Sequence, residues 1–325
     1  MWLTRARRAS YGVTAALALA LLGTSCSAGA TAGTGATTDI TVGALPVVDN
    51  VGLYIAADEG LFAKVGLHVT IKQVVQSTLA IPMMAKGQIA IIGGANNVSF
   101  IQAAAKTPAD PPFRLVMEAA TCGTGTFEVL SLPTSNITKP ASLVGKTVAV
   151  NLLNNIQTLT INAMLESDGV NANLVKYKVV PFPDMVKALQ AHQVDAISAV
   201  EPFATAAELN LGAQPILDQC QGPTENFPIS SYYAPAAWVQ QHPAIVSAFR
   251  QAMAQAQAIA DNDRGVVEKT ILTYIPHLSP VEADILALET FPTSVDATQL
   301  QRVANLMYTG HLLSKQFKVT SLIAP

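Results

Sequence analysis

From Asp39 onward, short apolar runs alternate with longer stretches whose apolar residues return every three to four positions. Ile40 to Ala44 reads as a strand, and the spacing from Val51 to Lys64 predicts a helix stopped at Gly66. His68 to Val75 is the next strand, followed by a helix over Leu79 to Lys86 and a strand over Ile89 to Gly93. Val98 to Ala105 predicts a further helix and Arg114 to Ala120 a further strand. Repetition of strand, helix and strand predicts an α/β fold with a mainly parallel sheet.

The pattern then starts again. Phe127 to Leu132 and Thr147 to Asn151 are strand-like, Gln157 to Ser167 is a helix ended by Gly169, and Val175 to Val180 is a strand. Asp184 is placed to cap a helix running to Ala191, and Ala196 to Val200 is another strand. Val74-Val75, Met84, Gln88-Ile89 and Ile91-Ile92 are echoed 105 positions later by Val179-Val180, Leu189, Gln193-Val194 and Ala196-Ile197. Such an echo fits two similar lobes with a cleft between them. Beyond Tyr232 the chain predicts amphipathic helices at Pro243 to Asp263, Val266 to Tyr274, Val281 to Leu288 and Thr298 to Tyr308, the last capped by Asp296.

Composition changes the picture at the N-terminus. Half of the 325 residues are hydrophobic and 13% are charged, against about a quarter in ordinary globular proteins. Disorder is excluded by that balance. The formal net charge of −3, with no basic run beyond the first ten residues, argues against nucleic acid as a partner. Arg5, Arg7 and Arg8 precede an apolar run from Val13 to Leu22, too short to cross a bilayer and laid out as an export signal over residues 1–25. Ser27 to Thr38 contain only Ser, Ala, Gly and Thr and read as a flexible tether of roughly 20 Å r.m.s. length. Removing the three signal arginines leaves 16 basic and 22 acidic residues, a net charge of −6.

Chemistry motifs are mostly absent. His68, His192, His242, His277 and His311 share no metal-binding spacing, and neither a nucleophile elbow nor a phosphate-binding glycine loop occurs. No metal, cofactor or catalytic residue is therefore expected. Cys122 and Cys220 are open to two readings, a disulfide in an oxidising compartment or two separate buried thiols. The positive signal lies where strands hand over to helices, because ligands of open α/β sheets bind at the carboxyl ends of strands. These junctions supply Pro46, Asp49, Asn50 and, a turn later, Tyr54, then Gln76, Ser77, Thr78, Asn96 and Asn97. The second half supplies Asn154, Asn155, Gln157, Asp184 and Glu201, and Thr124 lies in the turn between the halves. Ser, Thr, Asn and Asp are equally the residues that cap helices, and Glu201 can either accept from a ligand amine or complement a helix dipole.

Several segments together carry a family resemblance. They are Leu53-Tyr54-Ile55-Ala56 with Glu59-Gly60-Leu61-Phe62 and Gly66-Leu67, then Ala85-Lys86-Gly87-Gln88-Ile89-Ala90-Ile91 and Leu143-Val144-Gly145-Lys146-Thr147-Val148-Ala149-Val150. Gln193-Val194-Asp195-Ala196, Glu201-Pro202-Phe203, Phe291-Pro292-Thr293 and Gln299 to Met307 complete the set. The chain resembles the nitrate/sulfonate/taurine-binding proteins of ABC importers, a group that also contains thiamine-precursor-binding proteins. Leu22-Gly23-Thr24-Ser25-Cys26 similarly resembles a bacterial lipobox, which implies lipidation of Cys26 and an anchor on the outer face of the cell membrane.

The resemblance implies a periplasmic-binding-protein type II-like fold: lobe 1 over residues 39–128, lobe 2 over 129–221, and a return to lobe 1 with C-terminal helices over 222–325. The crossovers would fall near Glu118 to Leu132 and Asp218 to Tyr233, one cysteine in each, bringing Cys122 and Cys220 together. It implies a monomer that binds a small molecule and presents it to an ABC permease and its ATPase. Sulfonate and nitrate are anions, yet no arginine falls at a junction, so an anion held by backbone N–H groups and a neutral or cationic heterocycle both stay open. Alternatives are a pyrimidine-precursor synthase-like enzyme on the same fold, whose cysteine-rich motif this chain lacks, and a ligand-sensing domain.

Overall fold

The computed structural model describes residues 37–325. The expected export segment, Cys26 and all but the end of the tether lie outside the described residues. Two five-stranded sheets organise the chain. The first contains β1 (Thr38–Ala44), β2 (Leu67–Gln73), β3 (Ile91–Asn96), β4 (Phe113–Thr121) and β10 (Pro228–Pro235), in the order β2-β1-β3-β10-β4. The second contains β5 (Phe127–Ser131), β6 (Thr147–Val150), β7 (Lys176–Val179), β8 (Ala196–Val200) and β9 (Gln214–Asp218), in the order β7-β6-β8-β5-β9. The fold is the two-lobe periplasmic-binding-protein arrangement with a helical C-terminal region.

Both sheets are mixed, yet four of the five strands in each run the same way, as the mainly parallel expectation has it. In each, three strands run parallel, and a reversed strand, β10 or β5, is inserted between them and the last strand. The reversed strands are those entered from the other lobe, so the crossovers themselves become ladder members. Central strands are apolar on both faces, as burial on two sides requires. Ile91 and Ile92 of β3 enter different cores. The first lobe's register sets Thr38 opposite Leu67 and the second's sets Thr147 opposite Lys176, the same pairing 109 residues later (147 − 38 and 176 − 67).

Helices cover the sheets: α1 (Val51–Asp58), α2 (Leu61–Lys64), α3 (Ala80–Ala85), α4 (Asn97–Lys106), α5 (Ile156–Ser167), α6 (Phe182–Gln190) and α7 (Phe203–Leu211). The single helix expected from Val51 to Lys64 is broken at Gly60, whose φ of 64° no right-handed helix tolerates. Beyond β10 come α8 (Ala236–Gln241), α9 (Pro243–Asn262), α10 (Arg264–Tyr274), α11 (Pro280–Ile285) and α12 (Ala297–Thr309). Asp296 caps α12 by accepting from the Thr298 and Gln299 N–H groups at 2.8 and 3.1 Å. The apolar face of α12 (Leu300, Val303, Ala304 and Met307) enters the core that joins both lobes. No helix among the described residues is long and apolar enough to cross a membrane.

Candidate functional site

A cavity of about 40 Å³ lies between the lobes, where the strand ends of both sheets meet. Leu45, Val47 and Asp49 follow β1, Ser77 follows β2 and Asn96 ends β3. From the second lobe come Asn151 and Asn155 after β6, Phe182 after β7 and Val200 at the end of β8. Phe127 opens β5 and Ser230 lies in β10; both strands are reversed, so their early residues reach the same rim. The lobes touch beside the cavity. Gln76 donates through Nε2 to the Asn151 carbonyl at 2.7 Å, and the Val48 N–H donates to the Glu201 carbonyl at 3.3 Å.

Of the junction residues, Asp49, Ser77, Asn96, Asn155 and Gln157 line the cavity. Two of them are helix caps as well. Asn96 Oδ1 accepts from the Ser99 N–H at 2.9 Å, and Asn155 Oδ1 accepts from the N–H groups of Gln157 and Thr158 at 3.1 and 3.3 Å. Gln157 is wholly engaged: Oε1 accepts from the Asn151 N–H and Asn155 Nδ2, and Nε2 donates to the Ser198 carbonyl. Asp49 Oδ2 accepts from the Ser230 hydroxyl, while Asp49 Oδ1 and Asn151 Oδ1 are buried without a hydrogen-bond partner.

The remaining candidates do not line it. Pro46 and Thr78 sit in the adjoining turns, and Gln76 ties the lobes together instead. Asn50 turns back to donate to the Leu45 carbonyl at 2.9 Å, packed so closely on Gly93 and Gly94 that a Cβ at Gly94 would lie 2.4 Å from Asn50 Nδ2. Tyr54 stacks on Tyr274, ring centroids 3.7 Å apart, because its position on α1 faces α10. Asn97 braces β10, donating to the Pro228 carbonyl and accepting from the Tyr233 hydroxyl. Thr124 and Asn154 are exposed, Asn154 with a φ of 53°. Asp184 is exposed in the first turn of α6, whose cap position is Pro181, so it neither caps the helix nor faces the cleft. Glu201 is buried, but Thr205 and Ala287 occupy its carboxylate. Asn151 and Ser230 were missed; the first ends a strand rather than starting a helix, and the second lies in a segment read as crossover.

The NMT1/THI5-like family model matches residues 48–263, well over half of the chain and both walls of the cavity. The chain belongs to that family. No curated protein sequence matches it. Among solved structures, this NMT1/THI5-like chain is similar to the alkanesulfonate-binding protein SsuA from Xanthomonas axonopodis pv. citri bound to MOPS. The identity is 17% and the TM-score 0.72, over 88% of this chain and 97% of that one. The periplasmic nitrate-binding protein NrtA from Synechocystis PCC 6803 matches at 15% identity and TM-score 0.72, over 88% and 85% of the two chains. The desulfurization enzyme DSZB matches at 16% identity and TM-score 0.63, over 88% and 96%.

The NMT1/THI5-like site is electrostatically one-sided. Among the described residues, Asp49 is the one ionisable acid or base lining the cavity. Burial raises its pKa, opposed by the Ser230 hydrogen bond. Behind it Glu289 is buried with both oxygens unpartnered, and burial followed by the Asp49 and Glu201 charges raises its pKa far above the ordinary range. Burial also pushes Glu201 up to about 7 against three hydrogen bonds that pull it down. None of these three carboxylates belongs to an ion pair among the described residues. No cluster suited to a metal ion occurs among the described residues either.

Proposed function

We propose that the chain is the extracytoplasmic solute-binding component of an ABC importer, anchored through a lipidated Cys26 and handing a small polar molecule to a permease and its ATPase. Residues 39–128 and 222–325 would then form one lobe and residues 129–221 the other. The observation that carries this reading is the inter-lobe cavity itself, built at the carboxyl ends of two pseudo-equivalent sheets. A solute seated there touches both lobes at once. It therefore favours the closed arrangement by its differential affinity for it, and the closed form is what a permease can distinguish. The names of the alkanesulfonate- and nitrate-binding structures support the transport role.

Thermal-shift and calorimetric screening of the purified chain against sulfonates, taurine, nitrate, and thiamine and riboflavin precursors tests the reading. Saturable binding of one solute without turnover is the expected result. Time-dependent product formation would place the chain with the enzymes of this fold instead. Replacing Cys26 with Ala tests the anchor: the protein is expected to leave the membrane fraction and lose its acyl mass.

A further inference from the structure

Among the described residues, the cavity has two acceptors to fill and no positive charge to offer. Asp49 Oδ1 comes from the first lobe and Asn151 Oδ1 from the second; both are buried, both lack a partner, and both residues line the same space. Leaving such oxygens unmatched in an interior is costly, so a ligand that donates to them gains more than one that does not. Some helix-start donors beside the cavity are already used. Asn96 takes the Ser99 N–H of α4, and Asn155 takes those of Gln157 and Thr158 of α5, which leaves fewer of them for an anion. The rest of the wall includes Phe127 and Phe182, whose ring faces attract cations.

Resting on the solute-binding reading, we propose that the transported solute is a cation bearing N–H donors, an ammonium or amidinium-type head group. Its charge is met by Asp49, and it also donates to Asn151 from the opposite lobe. The cavity, about 40 Å³, suits a compact head group rather than a bulky one. One hydrogen bond to each lobe makes the head group itself the bridge that favours closure.

Guanidinium, urea and nitrate form a suitable probe set, being planar, of equal heavy-atom count and respectively cationic, neutral and anionic. Calorimetric titration of the full chain in detergent is expected to show saturable guanidinium binding well below denaturing concentrations, with urea weaker and nitrate inert. Asp49→Asn should weaken guanidinium binding roughly thirtyfold or more, as removal of one member of a buried charge pair does. Asn151→Leu should weaken it roughly tenfold to a hundredfold, the scale of one hydrogen bond to a charged group. It reports from the other lobe should the Asp49 variant fold poorly. Nitrate or urea binding as well as or better than guanidinium overturns the cation proposal while leaving solute binding intact. Failure of all three overturns the proposed head group and size, and the broader solute screen then decides the transport reading separately.

Discussion

Asn155 holds the start of α5 and one wall of the cavity with the same side chain. Its Oδ1 takes two free N–H groups of the helix, and its own N–H is matched by Thr158 Oγ1 at 3.1 Å. Replacing an Asn cap by Ala costs about 0.5–2 kcal/mol. Asn155→Ala is therefore expected to lower unfolding stability by about that much in a denaturant titration. Solute affinity should fall as well, since Asn155 also fixes Gln157 through Nδ2. At this scale the sequence was legible in part. Small polar residues at strand-to-helix junctions announced the pocket. Asp49, Ser77 and Asn96 could not be told apart from Thr78 and Asn97 without knowing which way each turn faces. Asp184 and Thr124 have the right residue types but point to solvent. Asn151 was hidden because its contribution depends on the distant Gln76 of the other lobe and on Gln157 in the first turn of α5.

Elements were most legible where periodicity was uninterrupted and least at the return crossing, in β9 and β10. β9 carries Pro215 and lies at a sheet edge, where a missing N–H is tolerated, so its pattern gives no strong strand signal. β10 is bracketed by Pro228 and Pro235 and joins the ladder only because β3 and β4 flank it. Packing between elements is likewise set by positions that look unremarkable in sequence. Gly52 of α1 faces Gln257 of α9, where an added Cβ would lie 2.9 Å from Gln257 Cγ. Gln257 is itself fixed, donating to the Glu118 and Ala119 carbonyls at 2.8 and 3.0 Å. Gly52→Val should therefore push α1 off α9 and destabilise the fold by about 1–3 kcal/mol. Thermal unfolding would show it, and an unchanged Tm would mean that Gln257 can yield.

The echo between the two halves predicted a two-lobe body. What it left open was how charge is distributed through that body. Cys122 and Cys220 are disulfide-bonded across the two crossovers, closing a loop of sequence separation 98. Neither cysteine lines the cavity. Cys122→Ala with Cys220→Ala should thus lower stability by about 2–4 kcal/mol while changing solute affinity little. Buried carboxylates act in the opposite way. Burial pushes Glu118 and Glu201 up to about 7, and pushes Glu128 to about 8 with the charges of Glu208, Asp218 and Glu201 adding to it. Each folded-state pKa lies above the ordinary 4.5, so the native state holds these protons more tightly than the unfolded chain. Their contribution to stability is fully present below 4.5 and is lost as pH rises towards 8. The Tm should therefore be higher near pH 5 than above pH 8, the reverse of a protein held by ion-paired carboxylates. Glu128→Gln isolates the cause, because it removes one charge from a group of four carboxylates. It should raise the Tm above pH 8 and leave it nearly unchanged near pH 5, where Glu128 already carries its proton. An equal shift at both pH values would assign the effect to packing rather than to charge.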